Sequence, residues 1–152
     1  AVTAAARERP IGLILLGEGR ESRAVLAAIG GNPHIRLYEP ERDRVQLARI
    51  LASVDALVHG CEAETFCMVA AEARASGLPV IVPDRGGAAD HAANGGGWTY
   101  SATSSRSASA AILHALAQPR AAPPTNVRTM EDHFEDLFAG YATLRAGRRR
   151  AA

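Results

Sequence analysis

Short apolar runs alternate with longer amphipathic segments along this chain, and that rhythm constrains its fold more than any single motif. Ile11-Gly12-Leu13-Ile14-Leu15-Leu16 runs into Gly17-Glu18-Gly19, the pattern of a buried strand entering a turn. Val25, Leu26 and Ile29 fall at helical spacing within 21–29, and Gly30-Gly31-Asn32-Pro33 ends that segment. A strand at 34–38, a helix at 42–52 and a strand at 56–59 follow, and then a helix at about 65–76. Gly77 suits a left-handed stop and Pro79 blocks continuation, so residues 80–83 begin afresh as a strand. A short helix at 88–93 and one capped by Thr103 or Ser104 and reaching Leu116 come next. A breaker-rich stretch at 119–124 separates these from a final helix at 127–146. Strands alternating with helices at this pace predict an α/β fold, a doubly wound, Rossmann-like parallel sheet covered on both faces.

The expected organisation is therefore a linker at 1–10, one domain at 11–118, a linker at 119–125, a terminal helix at 126–147 and a basic tail at 148–152. The 152 residues suffice for one substantial core, and 47% of them are hydrophobic. A formal net charge of +1 gives no field for a nucleic-acid backbone, so no nucleic-acid partner is expected. The longest apolar runs fall far short of the roughly 20 residues that cross a bilayer. Cys61 and Cys67 form no disulfide framework, and no histidine stands at metal-ligand spacing from them in sequence, so no metal site is read. Without a signal-peptide pattern, the expected location is a reducing cytoplasm.

Ligands of doubly wound sheets sit at the carboxyl ends of the strands. Residues 17–20, 38–41, 59–65 and 84–87 would gather there. Glu64 belongs to that set, and Glu72 follows it eight positions on, the two flanking a helix start. A carboxylate accepts hydrogen bonds from both hydroxyls of a vicinal diol. At about 1.5 Å per residue the pair would be separated by about 12 Å, comparable to a ribose and a hexose joined by a diphosphate. The helix amino end between them favours phosphate. On the residues alone, two glutamates at such a spacing are more often a solvated helix face. Gly17-Glu18-Gly19 with Glu39 about twenty residues on also admits a dinucleotide-binding oxidoreductase, although its third glycine would fall at Ser22.

The wider pattern is more specific. Glu-Thr-Phe at 64–66, then Glu72-Ala-x-Ala-x-Gly-Leu-Pro-Val, with Gly86-Gly87-Ala88-Ala89-Asp90 after the next strand, resembles the donor-binding domain of retaining GT-B glycosyltransferases of family 4. The resemblance extends over most of the chain, from residues 14–19 to the aromatic stretch at 134–141. It implies a hexosyltransferase acting on a nucleotide sugar in polysaccharide or glycolipid synthesis. By it, Glu64 would be the catalytic-site residue holding the transferred sugar, and Glu72 would hold the ribose diol. Thr65, Phe66 and Cys67 would line the diphosphate, and Tyr38 and Glu39 would lie against the base. Gly17, Gly19, Gly86, Gly87 and His59 would complete the donor site, with no cofactor and no metal required.

Three departures accompany the resemblance. Cys67 stands where the family usually has glycine, Asp90 where it usually has glutamate, and the basic Arg-to-Lys pair that clamps the diphosphate has no match in residues 1–10. Ala1 in place of an initiator methionine points to a trimmed or processed start. The comparison implies a further amino-terminal, acceptor-binding domain outside this chain, which alone would be inactive. The full enzyme is expected in the cytoplasm, in peripheral contact with the inner face of the membrane. A non-catalytic nucleotide-sugar-binding or assembly module is the alternative of another class.

Overall fold

The computed structural model describes residues 1–93, 95–119 and 129–150, with side chains as far as Ala146. Its elements are α1 (Val2–Ala5), β1 (Leu13–Leu16), α2 (Ser22–Ile29), β2 (Ile35–Tyr38), α3 (Arg44–Ser53), β3 (Leu57–Val58), α4 (Met68–Ala75), β4 (Val80–Pro83), α5 (Ala88–Ala92), β5 (Gly97–Tyr100), α6 (Ser105–Ala117) and α7 (Met130–Arg150). All strand pairs are parallel, as the alternation predicts.

β4 is the centre. All four of its residues are buried, and successive side chains serve opposite faces, as the period of a strand requires. Val80 and Val82 join Leu51, Cys67, Ala70, Ala73, Leu78 and Ala88 on one side, and Ile81 joins Tyr100, Ala111, Ile112 and Ala115 on the other. The sheet is thus covered on both faces. Burying Val80, Ile81 and Val82 stabilises the fold by roughly 1.5–3 kcal/mol per side chain.

The turn that delivers the chain to β4 follows from Gly77. Its φ of 75° places it in the left-handed region, and the Gly77 N–H donates to Arg74 O while Leu78 N–H donates to Ala73 O, both at 2.9 Å. These two bonds make a Schellman stop, with buried Leu78 as its hydrophobic contact. Asp43 caps α3 by accepting from the Val45 and Gln46 amides at 2.7 and 3.1 Å, and Ser104 caps α6 by accepting from Ser107 N–H at 3.1 Å.

Three expectations require correction. In place of one continuous sheet there are two, β1-β2 and β3-β4-β5, with a cavity of about 980 Å³ lined from both. β3 is only two residues long and its ladder is directed to β4, through Leu57 N–H to Pro79 O and His59 N–H to Ile81 O, so little edge remains for β1. Residues 1–10 are more than a linker, since α1 packs on α6 with Ala5 fully buried. Finally, α7 runs to Arg150, into the expected basic tail. Most of the expected 119–125 linker lies outside the described residues.

A capping box opens α7: Asp132 N–H donates to Thr129 Oγ1 at 3.1 Å, and Thr129 N–H donates to Asp132 Oδ2 at 2.7 Å. Phe134, Leu137, Phe138, Tyr141 and Leu144 are exposed along it, so within the described residues this apolar side is not buried on the sheet. Among the described residues no helix is long and apolar enough to cross a membrane.

Candidate donor site

The loop from Gly60 to Cys67 joins β3 to α4 at the carboxyl edge of the three-stranded sheet. Its entrance is fixed at His59. The His59 N–H donates to Ile81 O at 2.9 Å, and its carbonyl accepts from the Tyr100 hydroxyl at 2.8 Å, so β4 and β5 hold the residue from two directions. Burial raises the Tyr100 pKa, which keeps that donor protonated.

The Gly86-Gly87 turn lies directly against the loop. Gly87 N–H donates to Glu64 O at 2.7 Å. A Cβ at Gly87 would overlap the Thr65 carbonyl, and one at Gly86, whose φ is 72°, would overlap the carbonyl of Glu62. Only glycine permits this approach. The two glycines therefore act on the site by supporting its backbone.

α4 starts later than the sequence suggests. It begins at Met68 after Cys67, whose φ of 66° makes it the one non-glycine residue with positive φ among those described. Thr65 and Phe66 consequently stand exposed in the loop and not in the helix, and the two glutamates are not on one helix. Glu64 projects from the loop, and Glu72 lies half-buried in the second turn of α4. At the start of α4, Ala70 N–H and Ala71 N–H donate to Cys67 O at 3.0 and 3.3 Å.

His91 is a contributor that the sequence did not flag. Its Nε2 lies 2.5 Å from Phe66 O, a geometry in which the imidazole donates, and its ring meets Phe66 edge to face at 4.9 Å and 80°. α5 thereby fixes the loop just ahead of Cys67. No local pattern announces this contact between residues 25 positions apart. Asp90, the shorter replacement for glutamate, is exposed in the first turn of α5.

His59 Nε2 and Glu64 Oε1 are 3.6 Å apart, with the imidazole side chain 15% exposed and the carboxylate 37% exposed. Cys67 is buried beside them. Desolvation raises its pKa, partly offset by the Ala70 N–H, and the charges of Glu64 and Cys61 push it further up. The thiol is accordingly a small apolar group at neutral pH.

The remaining expected positions lie on the two-stranded sheet. Gly17 and Gly19 follow β1, Tyr38 and Glu39 end or follow β2, and Gly17 N–H donates to Tyr38 O at 3.0 Å. Tyr38 and Glu39 are exposed, and Glu18 pairs with Arg42 at 3.0 Å. The chain contains no lysine; Arg20 and Arg85 are the cations of the loops after β1 and β4.

The left-handed backbone explains why glycine suits position 67, and it gives a test. Cys67→Ala keeps the strained φ and loses the buried sulfur, whereas Cys67→Gly loses the sulfur but relieves about 1 kcal/mol of backbone strain. Cys67→Gly should therefore melt higher than Cys67→Ala in urea or heat, the reverse of the order at an ordinary buried position. Equal midpoints would show that position 67 does not hold the left-handed conformation in solution.

The parallel α/β arrangement is shared with solved glycosyltransferase structures. The chain is similar to WaaG, a glycosyltransferase involved in lipopolysaccharide biosynthesis, with a TM-score of 0.58 and 22% identity over 70% of this chain and 29% of that one. It is also similar to the pneumococcal O-GlcNAc transferase GtfA, with a TM-score of 0.63 and 22% identity over 76% of this chain and 25% of that one. Residues 2–130 match the family described as glycosyl transferases group 1, and the chain belongs to that family.

Among curated relatives, a GDP-mannose-dependent alpha-mannosyltransferase of Mycobacterium tuberculosis is 38% identical over 89 residues, covering 59% of this chain and 22% of the relative. The protein of the same description from Corynebacterium glutamicum is 35% identical over 89 residues, covering 53% and 18%. A 44-residue stretch is 57% identical to the Mycolicibacterium smegmatis protein of that description, covering 29% of this chain and 12% of that one. The chain thus spans about a fifth or less of the curated relatives it matches.

Proposed function

We propose that this chain forms the donor-binding part of a retaining hexosyltransferase, and that its donor is GDP-mannose. The observation that carries the reading is the Glu64 loop itself. Its backbone is locked onto the Gly86-Gly87 turn at a strand edge, with Glu72 further along the helix that the loop enters. The matched relatives, described as GDP-mannose-dependent, supply the choice of nucleotide and sugar.

In this reading Glu72 accepts hydrogen bonds from the ribose diol and Glu64 accepts them from hydroxyls of the transferred sugar. The amino end of α4 faces the diphosphate, and its dipole, together with arginine side chains, offsets charge that develops on the leaving group. The acceptor oxygen bonds to the anomeric carbon on the face from which the diphosphate departs. The acceptor proton passes to a leaving phosphate oxygen. Configuration is retained, no protein nucleophile is consumed, and the step uses no resident metal. The acceptor itself is held by an amino-terminal domain outside this chain, and the full enzyme works at the inner face of the membrane.

Isothermal calorimetry of the purified chain against GDP, GDP-mannose, UDP and UDP-glucose tests the reading. GDP-mannose should bind at least 10-fold more tightly than UDP-glucose, with no sugar transfer by the chain alone. Preference for the uridine ligands would overturn the choice of donor, and failure of all four to bind would overturn the donor-site reading.

A further inference from the structure

We propose that His59, Glu64 and Cys67 together bind one thiophilic divalent cation of the zinc class, leaving one coordination position open. Their ligand atoms, an imidazole nitrogen, a carboxylate oxygen and the Cys67 sulfur, all lie within 4.8 Å of one another. The His59 Nε2 to Glu64 Oε1 separation of 3.6 Å is too long for a hydrogen bond. It does fit a tetrahedral edge. Metal–ligand bonds of about 2.0–2.3 Å place neighbouring donors roughly 3.3–3.8 Å apart, so two of the three donors already stand at coordinating separation.

His59 Nε2 is shielded from solvent and has no hydrogen-bond partner among the described residues. A buried imidazole nitrogen in that condition has its lone pair or its proton unused, and a cation between it and the carboxylate would satisfy both groups. The three residues are anchored. His59 is fixed through both backbone groups, Glu64 through its carbonyl on Gly87, and Cys67 by burial at the start of α4. The sulfur, within 4.8 Å of the other two donors, reaches a tetrahedral edge of roughly 3.5 Å by side-chain movement on the order of 1 Å. One nitrogen, one oxygen and one sulfur select a borderline-soft ion over magnesium or calcium, which take oxygen ligands. Binding releases the thiol proton, leaving thiolate, carboxylate and neutral imidazole around the ion.

Three protein ligands leave a fourth position for water. An ion held there occupies the carboxylate that the proposed function assigns to sugar hydroxyls, so cation and donor sugar would exclude each other; this last consequence rests on that assignment.

Cobalt(II) serves as the spectroscopic probe for the purified chain. One equivalent should produce visible tetrahedral bands with a thiolate-to-cobalt charge-transfer band in the near ultraviolet, and zinc should bleach both. Cys67→Ser should abolish the charge-transfer band, and Cys61→Ser should leave it intact. His59→Gln should weaken cobalt binding at least 10-fold while the thiolate band still forms at saturation, with circular dichroism verifying the fold of each variant. No band at one equivalent, a band that survives Cys67→Ser in a folded chain, or its loss in folded Cys61→Ser overturns the site. GDP-mannose calorimetry with and without one equivalent of zinc separates the two proposals: undiminished donor binding overturns the mutual exclusion alone, while absence of donor binding without zinc counts against the donor reading and leaves the cobalt result to decide the metal site.

Discussion

Gly87→Ala should destabilise the chain by about 2 kcal/mol, within the 1–3 kcal/mol common for overpacked sites, and should weaken donor binding at the same time. The added methyl meets the Thr65 carbonyl, a backbone atom that cannot rotate aside. Relief requires the loop to move away from the turn, which stretches the 2.7 Å bond from Gly87 N–H to Glu64 O. The shift then reaches Phe66, whose carbonyl and ring are held by His91. For a chain of this length such a loss lowers Tm by roughly 4–8 °C. Gly17→Ala is the control, because nothing lies within 4 Å of its added Cβ, and it should melt with the parent. A thermal melt of the three proteins decides the matter: coincident curves for Gly87→Ala and Gly17→Ala would mean that the turn does not support the loop.

Why the sequence disclosed some of this and not the rest can be traced to particular residues. The Schellman stop was legible because its chemistry is local, a glycine with positive φ followed by Leu78 and a proline. β4 was legible because four consecutive apolar residues after such a stop have little alternative to a buried strand. The start of α4 is hidden in the sequence for the converse reason. Cys67 opens the helix in a left-handed conformation with no Ser, Thr or Asp side chain capping it, so no residue type marks the boundary.

α1 leaves no mark in the sequence because its stabilisation is tertiary. Ala5 is buried with Ala108, Ala111 and Ala115 of α6, and a four-residue alanine-rich segment carries no periodic signal. The division of the sheet depends on β3 being two residues long, a length that an apolar run from Ala56 to His59 does not disclose. The candidate site divides in the same way. Glu64, Glu72 and the glycine pair carried a pattern in sequence, but the roles of His91 and Tyr100 arise from contacts 25 and 41 positions apart. Likewise, His59 and Cys67 are not at a helical or strand ligand spacing, and the intervening loop brings them together.

The second large effect is expected at Glu72, and its comparison with Glu64 separates nucleotide recognition from sugar recognition. A carboxylate bridging two ribose hydroxyls makes two charge-assisted hydrogen bonds, each of roughly 1.5–3 kcal/mol, and water recovers part of that when they are removed. Glu72→Ala should therefore weaken GDP and GDP-mannose alike, on the order of 100-fold, equivalent to about 2.7 kcal/mol. Glu64→Ala should weaken GDP-mannose by a similar factor yet leave GDP within about threefold, since GDP lacks the hydroxyls that Glu64 would hold. Glu72→Gln keeps one acceptor oxygen without the charge and should fall between parent and alanine variant. Their locations make the comparison clean, because Glu72 is carried by α4 and Glu64 by the preceding loop, so neither truncation removes the other's support. Calorimetric titration of both ligands into all four proteins supplies the numbers. Equal losses for GDP and GDP-mannose in both alanine variants would show that the two carboxylates do not divide the donor between them, and the loop and helix would then act only as one undifferentiated acidic edge.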